Sequence, residues 1–204
     1  MDDVQRLLCR GRIKGGRLPH QLHIWSLKEA FAGLRDRARA DGVEWGSCIE
    51  LRADGLVLPD PVPGVPDGVD PRCPPPVHTV YVGFAHVHLP DPETGKPYFG
   101  FSDRDYRGTL NDGDSLALLT NGPEVFALVR TADYTLPPQA VSDAEFRRWE
   151  RLYEDALATT GAALDRALAG VNFEICRRLG LAFYSGAWGE PLERVYQPLA
   201  AGRI

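Results

Sequence analysis

Long apolar runs, closely spaced cysteine pairs and an excess of basic residues are all lacking from this chain of 204 residues. No segment approaches the ~20 consecutive apolar residues of a bilayer-spanning helix, so we expect no membrane span. The opening segment MDDVQRLLCRGR has no apolar core of the kind found in secretory signals, which favours a cytoplasmic protein. The formal net charge of −5 argues against nucleic acids and membrane surfaces as partners.

The four cysteines are scattered along the chain, and no C-x-x-C pair is present. This spacing predicts neither a structural zinc knuckle nor a disulfide framework. Reduced thiols fit the pattern best, with Cys48 and Cys176 as small core residues. A composition that is 44% hydrophobic and 25% charged is typical of a globular protein with a substantial core.

Apolar periodicity in the first two thirds of the chain predicts both helices and strands. A capping box of Ser26 and Glu29 opens a helix that ends at Asp41–Gly42. The strands are predicted at 44–51, 56–58 and 77–88, with a proline-rich loop at 59–76. A short helix follows at 102–110, and then a hairpin of 116–120 and 125–129.

The last third of the chain is predicted to be mainly helical. A second capping box, Ser142 and Glu145, opens a long helix to about residue 168, and Gly170 separates it from a shorter one at 171–179. The segment after Gly180 has little pattern. The whole order of elements predicts an α/β or α+β fold in which helices cover one mixed sheet.

Two histidines and a carboxylate predict a metal site. His86 and His88 stand at i and i+2 near the end of the 77–88 strand, so their side chains point to the same side. Asp105 follows Ser102 by three residues, so both lie on one face of the short helix. Two imidazoles, one carboxylate and a position left for water are the ligands of a catalytic zinc. Because no glutamate lies between the histidines, the base must come from elsewhere in the chain.

Three segments together resemble the JAMM motif of the MPN+ (JAB) metalloprotease family. They are Glu44-Trp45-Gly46 on an early strand, the His-x-His pair at 86–88, and the Ser-x-x-Asp sequence at 102–105. The resemblance covers about residues 26–130. The segment between the second histidine and the serine is longer than is usual in the family, and in this it is similar to bacterial toxin-type members.

The resemblance implies a role for each residue that matches the motif. His86, His88 and Asp105 would bind Zn²⁺, Glu44 would be the general base, and Ser102 would help to stabilise the tetrahedral oxyanion. Glu50 is the alternative base because it lies on the same strand and shares strand parity with Glu44. We prefer Glu44, since E-W-G resembles the opening of the family motif.

The resemblance also implies a fold and a function. The fold would be an α/β/α sandwich with a mixed sheet, similar to cytidine deaminases. It would comprise an N-terminal extension (1–25), a catalytic core (26–136) and a C-terminal helical extension packed on the core (137–204). The function would be zinc-dependent hydrolysis of a peptide or isopeptide bond, to remove or process a ubiquitin-like protein in a prokaryotic conjugation system. The partners would be that protein or its conjugates, with activating and conjugating enzymes of the same operon. The alternatives are a toxin- or phage-type peptidase without a ubiquitin-like substrate and an inactive scaffold.

Overall fold

A mixed β-sheet forms the centre of the protein. The computed structural model describes residues 18–53, 55–71, 80–111, 114–130 and 143–196, and within these ranges nine strands form one sheet. The strands are β1 (Gln21–Leu22), β2 (Trp45–Arg52), β3 (Gly55–Val57), β4 (Val62–Pro63), β5 (Val80–Val87), β6 (Leu116–Thr120), β7 (Glu124–Arg130), β8 (Leu181–Ala187) and β9 (Leu192–Tyr196). The helices are α1 (Lys28–Asp41), α2 (Asp103–Asn111), α3 (Asp143–Leu157) and α4 (Ala162–Leu179).

The order of the strands places one crossover at the centre of the sheet. The strands lie in the order β1-β9-β8-β7-β6-β5-β2-β3, and β4 also pairs with β2. Within the described residues, β5 and β6 are the one parallel pair. Parallel neighbours need a crossover connection, which here contains α2. The crossover leaves the sheet at the end of β5, directly after the two histidines of the predicted metal site.

Hydrophobic cores lie on both faces of the sheet. On one face, α1 packs through Phe31, Leu34 and Ala38 against apolar side chains of β2 and β5 to β8. On the other face lie α2, α3 and α4, whose core side chains include Tyr106 and Trp149. The predicted mixed α/β fold with helices on both faces is therefore confirmed. None of the helices in the described residues combines the length and the apolar character needed to cross a membrane.

A β-bulge in β5 decides which face the histidines occupy. Ile49 pairs with Gly83 and Glu50 with Tyr81, so Val82 is an extra residue on β5. As a result Val82 packs in the α1-side core, although Phe84 lies in the opposite core. Without the extra residue, strict alternation would place both side chains on one face.

Gly83 is required at this bulge. A Cβ atom added to Gly83 would lie 1.6 Å from the backbone oxygen of Leu116 on β6. We expect Gly83→Ala to lower the free energy of unfolding by about 3 kcal/mol or more, because backbone atoms cannot move aside as a side chain can. Gly33→Ala is the matched control: it lies on α1 with no atom within 4 Å of the added Cβ, and better helix propensity predicts a small gain in stability. Urea denaturation measures both, and equal stabilities would contradict the expectation.

The helix boundaries differ from the predicted ones in three places. A 3₁₀ turn precedes α1, so Leu27 rather than Ser26 occupies the N-cap position. The apolar side chain of Leu27 makes no capping bond. The long C-terminal helix is divided before Gly161, whose φ of 63° interrupts the helical backbone, and α4 then runs through Gly170 without a break. Ser142 of the second capping box lies outside the described residues.

The least patterned part of the chain contributes two strands. β8 lies between β7 and β9, and its first residues, Leu181 to Tyr184, are buried. Such a strand, covered on both faces, has no polar alternation to mark it. Residues 18–22 also pack on the sheet, because Leu18 and Leu22 are core residues and β1 pairs with β9. The sheet thus includes both ends of the described chain.

One cysteine prediction is wrong. Cys48 is disulfide-bonded, and its partner lies outside the described residues. Cys48 is 7% exposed, with its sulfur 3.4 Å from the carbonyl oxygen of Pro71. Scattered spacing cannot reveal a single bridge between distant segments, since only the fold brings the two sulfurs together. Cys176 is free and buried, as predicted for a core cysteine.

Candidate metal centre

The two histidines lie side by side at the end of β5. His86 pairs with Gly46 of β2, and the backbone N–H of His88 donates to the Thr120 carbonyl oxygen at the end of β6. Their Nε2 atoms are 3.1 Å apart, and both side chains are largely buried, at 1% and 11% exposed. The structure thus places both imidazoles on one side of the sheet, as the i, i+2 spacing predicts.

The N-terminus of α2 brings the third predicted ligand to the histidines. Ser102 precedes the helix, and its Oγ accepts from the backbone N–H of Asp105 at 3.3 Å. The backbone N–H of Ser102 donates in return to Oδ2 of Asp105 at 2.7 Å, so the pair forms a capping box. The Asp105 carboxylate then reaches His86 Nε2 with Oδ1 at 3.0 Å and His88 Nε2 with Oδ2 at 3.1 Å.

The spacing of these three side chains fits a shared cation. Ligands bonded to one tetrahedral Zn²⁺ at ~2.0–2.1 Å lie about 3.3 Å from one another. The two Nε2 atoms are 3.1 Å apart, and each lies 3.0–3.1 Å from one of the two oxygens of the Asp105 carboxylate, which is close to this value. Without a cation, each Nε2–H can donate to its own oxygen of the Asp105 carboxylate, and a bound cation would take the place of these protons. Three acceptor atoms can converge here if a cation lies among them.

Glu44 lies next to the histidines from the other side. It precedes β2 two residues before Gly46, the partner of His86, so its side chain shares the face of the histidines. Its backbone N–H donates to Val65 and its carbonyl accepts from Gly64, which fixes the residue at the edge of β2. A carboxylate oxygen of Glu44 lies within 4.8 Å of both imidazoles, and the residue is 7% exposed.

Glu50, the alternative base, is engaged elsewhere. Its carboxylate accepts from the guanidinium of Arg52 at 3.1 Å, and it pairs with Tyr81 on the far side of the bulge. The geometry therefore favours Glu44 over Glu50 as the carboxylate that serves the site. Glu44 and Asp105 both lie close enough to the histidines for either to be the carboxylate ligand.

The electrostatics of the site couple the acids to the histidines. Burial raises the pKa of Glu44 above its usual value, and His88 and His86 only partly offset this effect. Burial also opposes ionisation of Asp105, but the attraction of the two histidines holds its pKa well below the usual range. For His88, burial lowers the pKa, yet Asp105 and Glu44 outweigh it and the pKa is raised. A bound metal ion would compete with a proton for His88.

Two polar groups of the site bear on its chemistry. The Ser102 hydroxyl donates to Asp105 Oδ2 at 2.9 Å, so it supports the carboxylate and must rotate to donate to any other group. The Nδ1 atom of His86 is buried and has no hydrogen-bonding partner among the described residues. Metal-binding histidines usually donate this second ring N–H to an oriented acceptor. Stacking on Phe84, at 5.2 Å between ring centroids, helps to hold the His86 ring instead.

An open cleft leads to the cluster. It has a volume of about 1920 Å³, and one wall is the turn at 63–71 whereas the other is formed by α2 and α3. Arg104 of α2 donates to the carboxylate of Asp67 at 3.3 Å, which joins the two walls. This turn lies within the proline-rich loop predicted at 59–76, for which the two interpretations are a wall over the metal site and a solvent-exposed loop.

Comparison of the chain with protein-family models, with curated proteins and with solved structures finds no match in any of the three. The five residues singled out from the sequence nevertheless lie together, and four of them, Glu44, His88, Ser102 and Asp105, line the cleft, with His86 buried behind them. The support for a function is therefore the geometry of this cluster.

Proposed function

We propose that this protein is a zinc-dependent hydrolase of peptide or isopeptide bonds that resembles the JAMM metalloproteases. The observation that carries the proposal is a pair of imidazole Nε2 atoms 3.1 Å apart, each 3.0–3.1 Å from a different oxygen of the Asp105 carboxylate, with a second buried carboxylate within 4.8 Å of both imidazoles. Two imidazoles and one carboxylate leave one tetrahedral position open, as in catalytic zinc sites.

In this proposal each residue of the cluster has a separate task. His86, His88 and Asp105 would hold the Zn²⁺, and such an ion would supply polarisation of the scissile carbonyl and a water whose pKa is lowered to about 7. Glu44 accepts the proton of the attacking water and passes it to the leaving amine. Its raised pKa suits this exchange because the carboxyl must gain and lose a proton near neutral pH. Ser102 holds Asp105 and, after rotation of its hydroxyl, donates to the developing oxyanion.

The shape of the cleft supports an extended polypeptide as substrate. The site lies at the base of an open cleft rather than in an enclosed pocket, and its walls carry backbone and apolar side chains such as Val65, Phe99 and Leu157. An extended chain can lie in such a cleft and present its backbone carbonyl to the cluster. We propose the C-terminal tail of a ubiquitin-like protein, joined to an amine, as this chain.

Two substrates test the proposal. The zinc-loaded protein is incubated with a peptide library made from a proteome digest, and with ubiquitin-like proteins whose glycine-ended tails are joined to a fluorogenic amine. We expect new N-termini in the library and amine release from the tails, because the proposed chemistry acts on both amides. The protein stripped of metal by a chelator is the control, and restoring Zn²⁺ should restore cleavage.

The outcomes separate the rival functions. Cleavage of library peptides without release from any ubiquitin-like tail would favour a peptidase of the toxin or phage type. Absence of cleavage in both assays by protein that holds stoichiometric zinc would contradict the proposed hydrolase and leave a binding scaffold.

A further inference from the structure

The residue before Ser102 is held by two helices that lie outside the JAMM-like segment. The backbone N–H of Phe101 donates to Oδ1 of Asn172 on α4 at 3.1 Å. The carbonyl oxygen of Phe101 accepts from the Tyr153 hydroxyl on α3. All three residues are buried, at 1%, 0% and 7% exposed. Both backbone polar groups of this loop residue are thus bonded to side chains of the C-terminal third.

The same amide oxygen also reaches the other end of the capping box. Oδ1 of Asn172 accepts a second hydrogen bond, at 2.9 Å, from the hydroxyl of Tyr106 on α2. Phe101 and Tyr106 are the residues on either side of the Ser102–Asp105 box. A single buried oxygen atom is therefore bonded to both flanks of the segment that carries the carboxylate ligand.

The surroundings of Asn172 leave it little freedom. Its Nδ2 donates to the carbonyl oxygen of Leu168 on its own helix at 2.9 Å, so both ends of the amide are bonded. A Cβ atom on Gly100 would lie 2.8 Å from the amide, and Gly100 has a φ of 75°. The loop thus approaches Asn172 more closely than a residue with a side chain could. A buried amide that is bonded through both its oxygen and its nitrogen resists rotation and fixes its partners in one geometry.

The link from Asn172 to the metal centre is short. Once Phe101 is fixed, the next backbone N–H, that of Ser102, donates to Asp105 Oδ2 at 2.7 Å. That oxygen lies 3.1 Å from His88 Nε2. A shift of α2 relative to β5 would lengthen these contacts, and the Asn172 bonds oppose such a shift.

We propose that Asn172 is a positioning residue of the metal centre: through Phe101 and Tyr106 it holds the Ser102–Asp105 box at the distance from His86 and His88 that metal binding needs. Tyr153 assists it through the Phe101 carbonyl. The C-terminal helices are then part of the metal site's support and do more than cover the sheet. This inference rests on the proposed metal centre, and it adds residues that the sequence motif does not contain.

Metal affinity in Asn172→Leu tests the inference. The leucine side chain has a similar volume but can accept a hydrogen bond from neither Phe101 nor Tyr106. Of their bonds to residue 172, only the longer one from the Tyr106 hydroxyl to the backbone carbonyl, at 3.4 Å, is retained. Zn²⁺ affinity is measured by competition with a chromogenic chelator, and the visible absorption of the Co²⁺-loaded protein reports the coordination geometry. We expect a loss of about 10–100-fold in Zn²⁺ affinity, as for other supporting residues of metal sites, together with an altered Co²⁺ spectrum.

Ile175→Ala is the matched control. Ile175 is fully buried on the same helix, so its truncation destabilises the protein without removing a hydrogen bond to the loop. We expect the folded control to keep the wild-type Zn²⁺ affinity and Co²⁺ spectrum. If Asn172→Leu does not fold, Tyr153→Phe carries the test, because it removes the other bond to Phe101 and should move both readouts in the same direction.

The result also separates this inference from the proposed function. Wild-type protein that binds Zn²⁺, with unchanged affinity and spectrum in the folded Asn172→Leu or Tyr153→Phe variant, would overturn the positioning role alone. The same would follow if Ile175→Ala lost affinity as strongly as Asn172→Leu. Wild-type protein that binds no Zn²⁺ would overturn both the proposed function and this inference.

Discussion

Glu44→Gln is expected to lower the rate of amide cleavage by about 10²–10⁴-fold and to leave Zn²⁺ bound. Glutamine keeps the size of the side chain but cannot accept and return a proton. The substitution also removes the negative charge of Glu44, which is one of the two acids that raise the pKa of His88. The imidazoles therefore remain available to the metal. The measurements are the cleavage rate with the fluorogenic tail and the zinc content of the purified protein.

Glu50→Gln is the matched control for this variant. Both glutamates precede or lie on β2, but Glu50 is bonded to Arg52 on the other side of the bulge. We expect the control to cleave at the wild-type rate. If Glu50→Gln lost cleavage and Glu44→Gln kept it, the assignment of the base would be reversed. Full turnover in both variants would mean that neither glutamate is the base.

Local patterns predicted the parts of the site that depend on local geometry. His86 and His88 share a side because they are two residues apart on one strand, and Ser102 and Asp105 meet because they form a capping box. The hairpin of β6 and β7 and the end of α1 at Gly42 were likewise visible as turn and cap signals. Glu44 was placed by resemblance alone, since no local rule links it to residues forty positions away.

The features that sequence reasoning missed all depend on contacts between distant segments. The bulge beside Gly83 needs a glycine because the backbone oxygen of Leu116 on the neighbouring strand leaves no space for a Cβ atom. Strand β8 is buried by segments on both faces, which removes the alternation that would mark it. Asn172 gave one weak signal, a polar residue within the apolar sequence AGVNFEIC, but its partners could not be identified without the fold.

The position of the capping box explains how one short motif serves both folding and chemistry. The first N–H groups of any helix lack partners within the helix, and the box supplies a partner for one of them in α2. The same box turns the Asp105 carboxylate toward β5, where both of its oxygens meet imidazole nitrogens. In a capping box far from the sheet, the carboxylate would serve the helix alone. Here the parallel crossover brings the helix start back to the strand end, and the acid is therefore available to a metal ion.

Asp105→Asn is expected to lower Zn²⁺ affinity by more than about 100-fold, which exceeds the loss seen for supporting residues of metal sites. Asparagine keeps an oxygen that can accept from the Ser102 N–H, so the helix cap is largely retained. It loses the negative charge that attracts the cation, and its NH₂ group would face one of the histidines. Competition with a chromogenic chelator measures the affinity, and thermal unfolding of the metal-free protein checks the fold.

Asp103→Asn serves as the control because it lies at the start of the same helix without contacting either histidine. We expect it to bind Zn²⁺ as the wild type does.

Comparison with Glu44→Gln then decides between the two carboxylates that lie within reach of the imidazoles. If Asp105→Asn kept its zinc and Glu44→Gln lost it, Glu44 would be the ligand and the proton transfer would need another group. Loss of zinc in Asp105→Asn alone would leave Glu44 free to act as the base, as its buried position beside the histidines favours.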